Sequence, residues 1–300
     1  MRSDAVKSSP PTAAAMLPPL EAGAILPAMP IHDLPLVLRH LRHLSSQQFV
    51  LELEGAEIAA ECSPGQFVMT TVGGDGDPLL RRPMAIYRVQ RNGDGKATGF
   101  SLLVEVVGRG TAMLQQRQPG DVLSVLGPLG TSFRMPEPGT PAAEHLLVMG
   151  GVGAAPFPLL AESLLRDGHS VRAFIGARTA DLLLCVEDFT ELGVPVEVST
   201  DDGTRGHHGF VTGILEPYLK ERDDVPAVLY ACGPLPMMHA VHAVASEAGL
   251  PLQVSFEAPM ACGLGACLSC VIKLRDGDGW SYRRVCQEGP VFDSREVIWE

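Results

Sequence analysis

Four cysteines near the C-terminus have the type and spacing for redox chemistry. Cys262-Gly263-Leu264-Gly265-Ala266-Cys267-Leu268-Ser269-Cys270 is followed, after fifteen residues, by Cys286. C-x4-C-x2-C with a distant fourth thiol is the spacing of plant-type [2Fe–2S] ligation. An anionic binuclear cluster needs backbone N–H groups close to its sulfurs, and Gly263, Gly265, Ala266 and Ser269 place no bulky side chain in their way. Structural zinc favours two short paired spacings, which a four-residue gap fits poorly. A [4Fe–4S] centre uses C-x2-C-x2-C, absent here. Disulfides need an oxidising compartment, and no export signal opens the sequence. Cys262, Cys267, Cys270 and Cys286 are therefore the expected ligands of a [2Fe–2S] cluster.

A second set of residues suits nucleotide binding. The apolar run Leu146-Leu147-Val148-Met149 leads into Gly150-Gly151-Val152-Gly153-Ala154-Ala155-Pro156 and then a helical pattern from Phe157 to Asp167. Glycines after a strand let backbone approach a pyrophosphate at a helix N-terminus. The run is not a full G-x-G-x-x-G, so a plain structural turn competes with this reading. Asp201 and Asp202 follow a strand end, where carboxylates suit ribose hydroxyls better than a 2′-phosphate, favouring NAD over NADP. Cys232-Gly233-Pro234 closes another strand, and a buried Cys before a turn is its bland alternative. Arg81-Arg82-Pro83-Met84-Ala85-Ile86-Tyr87 offers guanidinium forks for phosphate and an aromatic ring to flank a planar group, against a merely solvated strand edge. Gly108-Arg109-Gly110-Thr111 is a further candidate anion site.

These residues require elements to position them. Three hundred residues at 46% hydrophobic are enough for two domains and a small appendage, and a net charge of −12 disfavours nucleic acid and anionic membranes as partners. Four of seven cysteines fall within the last forty residues, as a metal site in a reducing compartment would have them. Residues 1–30, broken by Pro, Ala and Ser, read as a flexible tail with no membrane span. Short apolar alternations at Leu36–Leu44, Phe49–Leu53, Gln66–Val72, Met84–Arg88, Phe100–Val107 and Val122–Leu126 predict a small antiparallel barrel or sandwich. Strands at Leu146–Met149, Val171–Gly176, Val194–Thr200 and Ala227–Cys232, alternating with helices near Phe157–Asp167, Thr212–Lys220 and Leu235–Ala248, predict a doubly wound parallel sheet. A last strand at Leu252–Glu257 runs into the cysteine loop. His207-His208 reads as loop polarity, and Cys62 and Cys185 as buried small hydrophobes.

The order Arg82-Pro83-x-x-Ile86, Gly108-x-Gly110-Thr111, Leu126-Gly127-Pro128-Leu129-Gly130, Gly150-Gly151-Val152-Gly153, Cys232-Gly233-Pro234 and the cysteine loop resembles the ferredoxin–NADP reductase superfamily. Within it, residues from about 33 to 300 look like the electron-transfer subunits of class B dihydroorotate dehydrogenase. The resemblance implies an antiparallel FAD-binding barrel over 31–138, an NAD-binding α/β domain over 139–250 and a [2Fe–2S] domain over 251–300. It implies that Arg82 binds the FAD pyrophosphate, with Pro83, Met84, Ala85 and Tyr87 near flavin or ribose and Gly108, Gly110 and Thr111 completing the phosphate grip. Gly151, Gly153, Pro156, Asp201, Cys232 and Gly233 would line the nicotinamide nucleotide site, with Cys232 near the nicotinamide. Ala85 departs from the family's usual Ser or Thr, whose hydroxyl can bond the isoalloxazine.

Nicotinamides exchange two electrons as hydride and an iron–sulfur centre accepts one, so a flavin between them fits this set of groups. No nucleophile triad, paired carboxylates or phosphate-transfer motif is evident. The expectation is an electron conduit in the cytoplasm whose substrate chemistry lies on another polypeptide; the resemblance implies that this partner is an FMN-containing catalytic subunit and that the pair forms a heterotetramer. The alternative is a reductase subunit of another NAD(P)-linked complex, serving a hydrogenase or a sulfide- or ferredoxin-linked enzyme. A redox-sensing scaffold with a vestigial nucleotide site would lack flavin, iron and sulfide.

Overall fold

A computed structural model describes residues 30–73, 78–137, 140, 143–223 and 225–299. The expected tail lies, apart from Pro30, outside the described residues. Six strands close a barrel in the order β1-β2-β5-β4-β3-β6: β1 His32–His43, β2 Gln48–Glu54, β3 Phe67–Thr70, β4 Arg82–Arg91, β5 Ala97–Glu105 and β6 Val122–Leu129, all pairs antiparallel. Strand β1 closes the ring because its first half, His32–Val37, pairs with β6 while Leu38–His43 pairs with β2. Alternating inward residues, among them Leu38, Phe49, Leu51, Phe100, Leu102 and Val125, are buried inside, which is what a small barrel needs to fill its interior. Helix α1 (Ala56–Glu61), not anticipated from sequence, and the short α2 (Arg109–Gln115), which starts where Gly108-Arg109-Gly110-Thr111 predicts a short helix, sit on this barrel's connections.

The second sheet has seven strands ordered β10-β9-β8-β7-β11-β12-β15. These are β7 Glu144–Gly150, β8 Ser170–Ala177, β9 Val196–Thr200, β10 His207–His208, β11 Ala227–Cys232, β12 Leu252–Ser255 and β15 Val291–Asp293. From β10 to β12 every pairing is parallel, with β7 central and the order reversing beside it. Leu146, Leu147, Val148 and Met149 are fully buried, as the unbroken apolar run required of a strand covered on both faces. Helices α3 (Phe157–Arg166), α4 (Val186–Glu191), α5 (Thr212–Glu221) and α6 (Leu235–Glu247) provide the covering layers. His207-His208, read as loop, forms the two-residue exposed edge strand β10 paired with β9. Cys185 is buried as expected, whereas Cys62 is only half-buried.

The C-terminal segment is woven into this second sheet. β12 pairs with β11, and β15 returns antiparallel to β12, so both ends of the cysteine-bearing stretch belong to the seven-stranded sheet. Between them a hairpin, β13 (Val271–Asp276) and β14 (Gly279–Arg284), stands on its own two-stranded ladder. A division of the chain at residue 250 therefore separates sequence but not hydrogen bonding.

Candidate functional site

A cleft of about 430 Å³ lies where the barrel, the C-terminal edge of the parallel sheet and residues 255–260 meet, a size typical of cofactor pockets. Arg82, Pro83, Met84 and Ala85 line it from β4, Thr111 from α2, Val152, Ala155 and Pro156 from the glycine turn, and Cys232 from the end of β11. Ser255 to Met260 form the remaining wall, and two residues on stands Cys262. Brought together, then, are residues that sequence alone scattered over 180 positions.

The two arginines part company. Arg81 donates to Asp33 (2.9 Å) and Ser124 (2.9 Å), pinning β1 and β6 to the start of β4. Arg82 turns to the cleft, donating to the carbonyls of Leu80 and Arg81. It lies so close to α2 that a Cβ on Gly110 would come within 2.5 Å of Arg82 Nε and 2.8 Å of Nη2. The Thr111 hydroxyl accepts from the N–H groups of Val107 (3.0 Å) and Gly108 (3.2 Å) and donates to the Gly108 carbonyl (3.1 Å). Its donor is thereby committed to folding the loop, so Thr111 shapes the cleft wall and has no proton to offer a phosphate.

Glycines act here by what they lack. A Cβ on Gly153 would lie 2.6 Å from the Cys232 carbonyl carbon and oxygen, so only glycine lets the β7 turn touch the β11 turn. Gly151 holds φ +56° with open space beside it, the conformation that glycine permits. Gly108, Gly110, Gly151, Gly153 and Gly233 thus stand around or behind the wall, while Val152, Ala155 and Pro156 face the cleft. Cys232 is buried, and that burial pushes its thiol well up, with Glu257 adding in the same direction; it is a neutral thiol and no nucleophile. Glu257 faces the mouth of the cleft; the partial withdrawal of its carboxyl from water raises it above the usual carboxylate range, and Glu105 reinforces the shift.

Two expected residues lie elsewhere. Tyr87 does not approach the cleft: it is buried between barrel and parallel-sheet domain, beside Cys185 and Asp188, in a second cavity of about 580 Å³. Alternation would put it on the face of Ala85, and the bulge between Ile86 and Arg88 breaks that alternation. Asp201 stands exposed just past β9, outside the cleft wall, and Asp202 spends one carboxylate oxygen on the Thr204 N–H (3.0 Å) and hydroxyl (2.7 Å). Ser255, Phe256 and Glu257 were not singled out beforehand. Their position at the C-terminal end of a parallel strand, where such sheets bind ligands, was the available signal.

The cysteine loop packs onto the barrel, where a Cβ on Gly263 (φ +71°) would meet Met69 Cγ at 2.6 Å. Cys267 is exposed, its Sγ 3.2 Å from the Ser269 hydroxyl, whereas Cys270 and Cys286 are buried. Backbone N–H groups point at the sulfurs, Gly265 to Cys286 at 3.2 Å, Leu264 to Cys262 at 3.4 Å and Cys286 to Cys270 at 3.4 Å. Among the described residues no three His, Cys, Asp or Glu side chains gather about a single ion position. Four thiols with backbone N–H donors on three of their sulfurs suit the anionic sulfurs of a [2Fe–2S] centre, and their spacing suits zinc poorly. Among the described residues no helix is long and apolar enough to cross a membrane.

Comparison with known proteins agrees with this geometry. Residues 257–298 match the family described as the iron-sulfur cluster binding domain of dihydroorotate dehydrogenase B, and residues 147–243 match the oxidoreductase NAD-binding domain. The dihydroorotate dehydrogenase B (NAD(+)) electron transfer subunit of Desulforamulus reducens is 40% identical over 84% of this chain and 93% of its own length. That of Bacillus caldolyticus is 38% identical over 86% and 95%. Among solved structures, one of an NADH-dependent reduced ferredoxin–NADP oxidoreductase described for flavin-based electron bifurcation superimposes with TM-score 0.75 at 29% identity, over 89% of this chain and 91% of that one. Phthalate dioxygenase reductase shares the fold at TM-score 0.57 and 16% identity, over 88% and 96%. A closed barrel with a nucleotide cleft, a parallel NAD-binding sheet and a four-thiol loop thus form an NAD-linked oxidoreductase that carries FAD and a [2Fe–2S] cluster, and the chain belongs to the family of dihydroorotate dehydrogenase B electron transfer subunits.

Proposed function

We propose that the chain passes electrons between NAD+ and an FMN-bearing subunit that oxidises dihydroorotate, within a cytoplasmic heterotetramer. One observation carries this: the backbone from Ser255 to Met260 walls the cleft and enters the cluster loop at Cys262, so both redox sites share one stretch of chain. A flavin in the cleft supplies the exchange between paired and single electrons that nicotinamide and cluster require. Arg82, braced over Gly110, grips the pyrophosphate with its planar fork. Backbone of Pro83, Met84 and Ala85 borders the ring, and Ala85 offers it no hydroxyl. The contact of Gly153 with Cys232 and Gly233 holds the nicotinamide side of the cleft closed to bulk, with Pro156 at its wall and Asp201 set to accept from a ribose hydroxyl. Cys262, Cys267, Cys270 and Cys286 would hold the two irons, with Cys267 on the exposed side. The three functional segments are taken as 31–138, 139–250 and 251–300.

Co-expression with the catalytic subunit of the same organism, gel filtration of the complex and an assay of NAD+-dependent orotate formation test this role. A stable complex that turns over dihydroorotate with NAD+ is expected. A complex that reduces NAD+ only with another donor would refute it. Service to a different NAD(P)-linked complex is favoured by one observation, the 0.75 TM-score to a ferredoxin–NADP oxidoreductase together with the missing hydroxyl at Ala85.

A further inference from the structure

The connection between the third and fourth cluster thiols is the β13–β14 hairpin, and its two faces differ sharply. Leu274 turns inward, buried at 6% exposure, and pairs with Val297. The other face carries Lys273, Arg275, Trp280 and Tyr282, placed together because Lys273 pairs with Tyr282 and Arg275 with Trp280 across the ladder. Trp280 and Tyr282 are 51% and 57% exposed in a chain that buries nine of its ten phenylalanines. They pack edge to face at 5.2 Å, and Lys273 Nζ sits 5.0 Å over the indole, so the patch is pre-assembled. Beside the cluster itself Leu264 and Leu268 are 47% and 61% exposed, and Cys267 opens to the surface between them.

We infer that this aromatic and basic hairpin face anchors the electron-exchanging partner subunit, which presents an acidic, apolar-centred patch to it. The inference rests on the electron-transfer role proposed above and adds where the partner sits. Three observations select that occupant. The hairpin springs from Cys270 and returns to within two residues of Cys286, so the Lys273–Tyr282 and Arg275–Trp280 pairs stand about 10 Å and about 17 Å of strand from Cys270, comparable to the radius of a standard protein interface. A partner near enough to exchange electrons with the cluster must therefore meet the hairpin. Trp, Tyr and Arg exposed together are the composition of interface anchor residues. Lys273 and Arg275 make this face locally basic, so a two-fold pairing of the face with itself sets like charges opposite one another, whereas an acidic patch on a different subunit complements it.

The test uses holoprotein, the co-expressed FMN-bearing catalytic subunit as probe, and two variants, Trp280→Ala/Tyr282→Ala and Lys273→Glu/Arg275→Glu. Iron and flavin content and NADH-driven dye reduction by the chain alone are expected unchanged in the charge variant, which keeps the aromatic packing. The Kd for the catalytic subunit is expected to weaken at least about tenfold in each variant, the charge variant losing most at low salt. Unchanged Kd in both variants overturns the inference while leaving the electron-transfer role standing. Failure of the wild-type chain to bind that subunit sinks both. Analytical ultracentrifugation finding a wild-type homodimer that the aromatic variant dissociates overturns the inference in favour of self-association.

Discussion

Gly110→Ala separates flavin binding from folding. The new methyl would stand 2.5 Å from Arg82 Nε, 2.8 Å from Nη2 and 2.9 Å from Cζ, so the guanidinium must retreat by about 1 Å to reach ordinary contact. Retreat is cheap for the fold, because a flexible side-chain end moves and no backbone does. Alanine moreover suits the helix better than glycine by up to about 1 kcal/mol. It is costly for a pyrophosphate held by that fork, since a charge-assisted hydrogen bond contributes about 1.5–3 kcal/mol. The expected result is an FAD Kd weakened about tenfold to a hundredfold, with thermal stability of the flavin-free chain equal or slightly higher. Titration of stripped protein with FAD by fluorescence quenching, beside calorimetry of the same sample, reads both quantities. Arg82→Ala is expected to match the loss, and the double variant to add little. Gly110→Ala binding FAD as the parent does would refute the placement of the pyrophosphate at Arg82.

Other consequences are as definite. Gly153→Ala drives a Cβ to 2.6 Å from the Cys232 backbone, which cannot rotate away, so destabilisation by about 1–3 kcal/mol and slower reduction by NADH are expected, with FAD content retained. Equal NADH reduction in stopped flow would contradict it. Burial and the nearby His169 hold His145 at a pKa of about 3, well under its usual 6.5. A depressed folded pKa gives stability that is complete above about 6.5 and is lost as pH falls toward 3, by about 1.4 kcal/mol per unit. His145→Gln, able to keep the 3.0 Å bond to Tyr230, should flatten that acid limb in denaturant titrations, and parallel profiles would refute the cause. Ala85→Ser should shift the flavin potential without altering FAD content; an unmoved potential would place the ring away from residue 85.

Both main sheets were legible in the sequence because their strands announce themselves by different periods. Alternation marks the barrel strands, and the unbroken Leu146–Met149 run marks a strand covered on both faces. Harder to see were pieces that owe their form to tertiary pairing. Val291–Asp293 is too short to signal a strand and becomes β15 only by adding to β12. The hairpin Val271–Arg284 was hidden because its outer face is aromatic and charged and its inner face rests on the same core as Val297. In the cleft, Arg82 and Ala85 were readable, but Tyr87 was not, since a bulge after Ile86 redirects it and no local residue signals a bulge. Thr111 lines the cleft as its place in the sequence suggests, but that its hydroxyl is bonded within the turn it folds shows only in three dimensions. The candidate cluster cysteines needed no tertiary information to be singled out, because their spacing is itself the signal.

The central claim is that the four thiols carry a binuclear cluster in electronic contact with a flavin. Anaerobic titration of the purified chain with NADH, followed by visible absorbance and by paramagnetic resonance of the reduced cluster, tests it most directly. Bleaching of flavin together with appearance of a reduced [2Fe–2S] signal, in protein holding iron and sulfide in equal amounts, is the predicted result. Zinc in place of iron, or a flavin that reduces while the cluster stays oxidised, would contradict it.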